Sequence, residues 1–105
     1  MAVKLIVAPK AEQDIDEAYA WYESHREGWG DVFLTNVDEC IQGICTAPEM
    51  HPVVFLGYRS SLVRRFPYAV YYEYDADVVT VFSIQRAIPR NGSSGFRSTD
   101  ATGDD

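Results

Sequence analysis

The chain is 105 residues long, 47% hydrophobic and 24% charged. That suffices for one globular domain with its own core and excludes a two-domain arrangement. Nine lysines and arginines stand against sixteen aspartates and glutamates, a formal net charge of -7, so long-range repulsion excludes indiscriminate adhesion to nucleic acid or anionic membrane.

The charge is unevenly spread. Residues 1–50 hold three basic residues against ten acidic ones, and residues 51–105 balance at six of each, all six basic residues being arginine. No apolar run reaches the roughly 18 residues a membrane span needs, and no basic-then-apolar leader pattern opens the chain, so a cytoplasmic protein is expected. Cys40 and Cys45 are five apart within one expected helix, too distant and too poorly oriented to bridge, and are expected to be buried, reduced thiols. With His25 and His51 scattered elsewhere they do not assemble a four-ligand metal site, and no cofactor is called for.

In chain order, the apolar, β-branched residues 1–8 predict a first strand ended by Pro9. From Ala11 onward, Ile15, Ala18, Tyr19 and Tyr22 fall at helical spacing, with Glu12, Asp16, Glu17 and Glu23 on the other sides. Gly28 and Gly30 supply a reversal, and Asp31 is expected to cap a second helix over 31–45, whose stripe is Phe33, Val37, Cys40, Ile41 and Ile44. Two helices joined so closely form an antiparallel hairpin. After Pro52 the pattern changes to period two and predicts strands over 58–66, 68–75 and 78–87. In the last of these, strict alternation puts Val78, Thr80, Phe82 and Ile84 on one face and Val79, Val81, Ser83 and Gln85 on the other. Residues 88–105 are polar and rich in Gly and Ser, and are expected to be a disordered tail outside the 1–87 domain. The expected fold is α+β, in the order β-α-α-β-β-β. A helical hairpin packs on one face of a mostly antiparallel four-stranded sheet.

The wording of the sequence adds to its periodicity. Asp14-Ile15 with Ala18 and Trp21-Tyr22-Glu23, the Gly28/Gly30/Phe33 spacing, Ile41/Ile44/Pro48/His51-Pro52, and Arg64-Arg65-Phe66-Pro67-Tyr68-Ala69-Val70-Tyr71-Tyr72-Glu73 occur in order. The set, spanning about residues 3–87, resembles the RelE/ParE superfamily of toxins from type II toxin-antitoxin modules. The resemblance implies the same fold, a small antitoxin whose segment wraps the domain, and a toxic activity when that partner is lost. It also implies one of two targets: RelE-like members cut messenger RNA on the ribosome, and ParE-like members act on DNA gyrase. The DNA contacts of such modules belong to the antitoxin, so no direct DNA binding is expected of this chain alone.

Most of the motif reads as packing. Trp21, Tyr22, Phe33, Tyr68, Val70 and Tyr72 are expected in the core. A ribonuclease needs cationic and acid-base groups around a phosphate, and the candidates are Arg59, Arg65 and Arg86. Arg59 and Arg65 share strand parity, with Arg64 opposite. Beyond Arg86 the sequence offers no Tyr, His or Lys, and arginine is a reluctant proton donor. The reading that follows is ParE-like: recognition of a protein such as gyrase, with no catalytic set. Arg64, Arg65, Arg86 and Arg90 are the partner-binding candidates. Tyr72 and Tyr74 join them as aromatic anchors, and Tyr71 and Trp29 would suit the same role if exposed. The alternatives are a ribosome-dependent mRNA endonuclease and a non-toxic antitoxin-binding module. The latter is suggested by the loosened C-terminal segment, where Pro89, Phe96 and Arg97 stand among Gly and Ser.

Overall fold

The computed structural model describes residues 3–87. In chain order they form β1 (Lys4–Val7), α1 (Pro9–His25), α2 (Trp29–Thr46), β2 (Val53–Phe55), β3 (Tyr58–Leu62), β4 (Tyr68–Asp75) and β5 (Val78–Arg86). The expected tail over 88–105, Arg90 included, lies outside the described residues.

Pro9 starts α1 two residues before the apolar stripe, at a position where its missing N–H costs nothing. The hairpin turn is closed by a residue of the preceding helix. Glu23 accepts from the Gly28 and Gly30 amides at 3.0 and 2.9 Å, so its carboxylate caps α2, and the expected cap Asp31 lies inside the helix instead. Gly28 sits at φ 89°, where only glycine is comfortable. Gly30 is needed for space: a Cβ there would lie 2.6 Å from the Tyr19 ring.

The sheet has five strands in the order β1-β5-β4-β3-β2, one more than expected. The α+β class stands. β1 runs parallel to β5, and every other pair is antiparallel. The added strand, β2, is only three residues long and exposed on both faces, so it leaves no period-two signature. It is joined to β3 through Leu56 and Gly57, both at positive φ, as a two-residue hairpin turn requires. Ala76 and Asp77 do the same between β4 and β5.

Two expectations about the strands are corrected. β3 ends at Leu62 rather than 66, because Arg64 and Arg65 turn and Arg65 adopts φ 74°, outside the strand region. The parity argument for Arg59, Arg64 and Arg65 therefore does not apply. In β5 the register shifts opposite Tyr71/Tyr72, which leaves Phe82 as the extra residue of a bulge. Ile84 thereby joins Val79 and Val81 in the core while Phe82 does not, against simple alternation.

The core lies between the helical hairpin and one sheet face. Phe33, Val37, Ile41 and Ile44 of α2 meet Val70, Tyr72, Val79, Val81 and Ile84. Phe66 is the hub at the hairpin end: its ring lies 4.9 Å from Tyr22, 5.3 Å from Phe33 and 5.8 Å from Trp29, all edge-on. Beyond the end of β1, the Ile84 amide on β5 has no strand beside it; Asp14 of α1 accepts its hydrogen at 3.0 Å. Two packing expectations change. Trp21 is 51% exposed rather than buried, and Cys40 and Cys45 are free but only partly buried.

Candidate functional site

The arginines separate into two groups. Arg59 on β3 donates to the backbone carbonyls of Glu49 and His51 and so fastens the loop between α2 and β2. Arg64 and Arg65 are exposed in the β3–β4 turn, and Arg86 is exposed where β5 ends. Along β4, Arg59 is opposite Tyr72, whereas Tyr68 pairs with Arg86. Four residues of strand are about 13 Å, and a second strand lies between. The three ribonuclease candidates Arg59, Arg65 and Arg86 therefore do not converge.

Arg26, an arginine that the sequence reading did not single out, extends the second group. The α1–α2 turn sets its guanidinium 5.5 Å from the centre of the Trp29 ring. Arg65 and Glu27 line the same cleft, so this part of the surface is built from both halves of the chain. Packing of the α1–α2 turn beside the β3–β4 turn is what brings them together, and nothing in the linear spacing announces it.

Arg86 has aromatic company that the linear sequence concealed. It shares a small depression with Trp21, Tyr68 and the acids Asp14 and Glu17. Burial pushes the Tyr22 phenol upward, and the charge of Arg86 partly opposes that shift. Trp21 stacks on His25 at 3.9 Å on the exposed side of α1. A tryptophan at helical spacing beside core positions reads as core, so its exposure could not be found by periodicity.

The tyrosine candidates divide as sharply. Tyr72 is fully buried and donates to the Pro48 carbonyl at 2.8 Å. It belongs to the core, and burial raises its phenol while Arg59 opposes. As an anchor for a partner it is corrected. Tyr74 is partly buried and donates to Asp77 Oδ1 at 3.1 Å, the bond that raises its pKa. Trp29 is packed against the core and only partly exposed.

Tyr71 faces the other way, toward the sheet surface that carries no helix. There a groove of about 700 Å³ runs from Pro9 and Lys10 across Phe82 and Tyr71 to Tyr58 and Phe55. Tyr58 and Phe82 meet edge-on at 5.0 Å in its floor. Cys40 lies on the opposite, helical side, its Sγ 3.5 Å from Ser61 Oγ; burial raises its thiol pKa and the serine hydroxyl opposes the shift. Among the described residues no three His, Cys, Asp or Glu side chains form a group that could hold a metal ion. No described helix is long and apolar enough to cross a membrane.

Comparison with known proteins gives one family and one fold. The family described as ParE toxin of type II toxin-antitoxin system, parDE, matches residues 5–87. A solved structure described as the chromosomal ParDE TA system from P. aeruginosa shares the fold with a TM-score of 0.74, covering 83% of this chain and 98% of that one at 16% identity. No curated protein matches the chain.

Proposed function

This chain belongs to the ParE toxin family of type II toxin-antitoxin systems, and we propose that it acts in the cytoplasm by binding a protein target, DNA gyrase, and is neutralised by a cognate antitoxin. The working unit in this reading is residues 1–87, with 88–105 as an appendage. The observation that carries it is the separation of the arginines. Arg59 is engaged by two backbone carbonyls, while Arg64, Arg65 and Arg86 are exposed at the other end of the sheet. A surface of that kind suits recognition of acidic or aromatic groups on another protein, since arginine pairs with such groups and is a reluctant proton donor. The partly exposed edge of Trp29 is the aromatic contact beside Arg65, whereas Tyr71 on the open sheet face and Tyr74 at the far end of β4 would serve a partner only if it also reached those places. Cofactor, membrane and antitoxin-free DNA binding have no part in this proposal.

Ribosome-dependent mRNA cleavage is the second reading, because Arg86 has Tyr22 and Tyr68 close by. It ranks second because burial raises the Tyr22 phenol, which weakens it as a proton donor at neutral pH. The test is expression of the chain without antitoxin, followed by gyrase supercoiling and ribosome-dependent cleavage assays in parallel. Poisoned cells, inhibited supercoiling and rescue by the antitoxin are expected, with inhibition reduced in Arg64→Glu/Arg65→Glu. Message cleavage lost in Arg86→Ala with folding intact would establish the second reading. Healthy growth would point to a non-toxic antitoxin-binding module.

A further inference from the structure

α2 buries one polar side chain among its apolar ones. Asn36 is 7% exposed and, with Ser83, makes up the buried polar residues among those described. Its Nδ2 turns back to donate to the Val32 carbonyl at 2.8 Å, and no described group donates to its Oδ1. A buried acceptor without a donor weakens the fold, and native proteins leave few of them. Asn36 lines a cleft of about 290 Å³, formed with Val32, Thr35 and Glu39 of the same helix and with Arg64 and Arg65 of the β3–β4 turn. The only ion pair among the described residues is Lys10 with Asp14, so Glu39 neutralises neither guanidinium across the cleft. Arg65 holds φ 74°, a left-handed backbone that glycine takes without strain.

We propose that this cleft binds an acidic peptide segment of a partner protein. A backbone N–H of the segment donates to Asn36 Oδ1, and a neighbouring carboxylate is taken by Arg64 and Arg65. The site gives a chemistry to the reading of those arginines as partner contacts, on which it rests. Mixed polarity selects the ligand. α2 presents acceptors, the Asn36 amide oxygen and the Glu39 carboxylate, while the turn presents guanidinium donors. An occupant must therefore carry N–H groups and an oxyanion side by side, and an acidic residue within a peptide has both. A bare phosphate brings no N–H for Asn36 and sets its charge against Glu39. A nucleotide carries amino groups and a phosphate, but no aromatic ring lines the cleft to stack its base, and a chain at -7 repels polyanions at long range.

Val32, 37% exposed, gives the residue beside the acid an apolar contact. With Arg65 it also lines the next cleft, that of Arg26 and Trp29, so a longer segment can continue there. The space takes about two residues, which makes the contact weak, with a Kd of about 0.1–1 mM.

The test is heteronuclear NMR of the full, isotopically labelled chain titrated with acetyl-Leu-Asp-Leu-amide. Saturable shifts of the Asn36 side-chain amide and of the backbone around it and around Arg64 and Arg65 are expected. Acetyl-Leu-Asn-Leu-amide lacks the carboxylate, and the acidic peptide N-methylated at its aspartate and second leucine lacks the donors. Each should bind at least about fivefold more weakly. Arg65→Gly should weaken binding by a similar factor while Tm stays level or rises, since glycine suits the φ of 74°. Asn36→Leu should weaken it without loss of Tm, which a purely structural asparagine would not allow. The N-methylated peptide tests the same contact without touching the fold. No saturation by about 10 mM peptide, equal affinity for the neutral or the N-methylated peptide, or an unchanged Kd in Arg65→Gly would each overturn the proposal. So would tighter binding of inorganic phosphate or of guanosine monophosphate at the same residues. A failed titration removes this site and leaves the gyrase reading to its supercoiling assay, whereas saturable peptide binding beside uninhibited supercoiling supports the site and removes gyrase as its partner.

Discussion

Gly30 and Gly43 lie in the same helix, and the same substitution should move stability in opposite directions at the two positions. An added Cβ at Gly30 would fall 2.6 and 2.8 Å from two ring carbons of Tyr19 and 2.9 Å from Glu23 Oε1. That oxygen holds the Gly30 amide, and its partner oxygen holds Gly28. The methyl group therefore pushes on a ring and on the helix cap together. Alanine gains about 1 kcal/mol over glycine in a helix interior. Against that stand an overpacking cost of ~1–3 kcal/mol and up to ~1–2 kcal/mol of weakened capping. The net is a loss of roughly 1–3 kcal/mol, and each kcal/mol is worth about 4–8 °C in Tm for a domain of this size.

At Gly43 nothing lies within 4 Å of the added Cβ, so only the propensity gain remains, and Tm should rise by about 4–8 °C. Thermal and urea unfolding of the two variants, followed by circular dichroism, reads both effects. Tyr19→Ala in the Gly30→Ala chain should recover part of the loss, because it removes the nearest obstacle. A Gly30→Ala chain as stable as the native one would refute the steric argument. A Gly43→Ala chain that is not stabilised would refute the propensity argument set against it.

Three further outcomes follow from particular contacts. Asp14→Ala removes the only described partner of the Ile84 amide, at a side chain 15% exposed. It should cost about 2 kcal/mol, with Asp14→Asn costing less, and amide exchange at Ile84 should accelerate in the alanine variant. The exposed Lys10 pair with Asp14 adds little, so Lys10→Ala should be near neutral in the same unfolding assay. Tyr72→Phe leaves the Pro48 carbonyl without its 2.8 Å donor, and should cost about 1 kcal/mol with no change in m-value. Alkaline stability should decline: burial raises the Cys40 and Cys45 thiols above 9.0 and the Tyr22 and Tyr72 phenols above 10.0. Between the unfolded and the higher native pKa the unfolded chain releases protons that the native chain keeps, so the contribution of these four groups is constant below about pH 8.5 and falls above it. Cys40→Ala should flatten the first part of that fall in urea titrations at successive pH values.

Helices and central strands were legible because their burial repeats with the geometry of the element. Phe33, Val37, Ile41 and Ile44 mark α2, and all are buried. What the sequence did not reveal arises where a local event breaks the period. The bulge at Phe82 turns Ile84 inward, and no residue type encodes it. β2 is exposed on both sides and so has no alternation to find. The cap on α2 comes from Glu23, five residues before Gly28, because the helices fold back on each other; Asp31 satisfied the local rule and lost to a tertiary contact. Arg59 looked like a functional cation by residue type, yet its environment is two carbonyls.

The segment that made the family recognisable explains why the target was not equally legible. In residues 64–73, Phe66 and Tyr68 tie the helical hairpin to the sheet through edge-on contacts with Tyr22 and Phe33. Val70 and Tyr72 are fully buried beyond them. The residues between, Arg64, Arg65 and Glu73, are exposed, and Tyr71 is partly so. Packing constrains the first set steeply, since truncating a buried aromatic costs about 3–5 kcal/mol, while exposed substitutions typically shift stability by no more than about 0.5 kcal/mol. A sequence can therefore keep the inward positions and with them the fold, while the outward ones are free to suit one partner or another. Recognition of the family rests on the first set, and the second set, being exposed, is not held to one choice by packing.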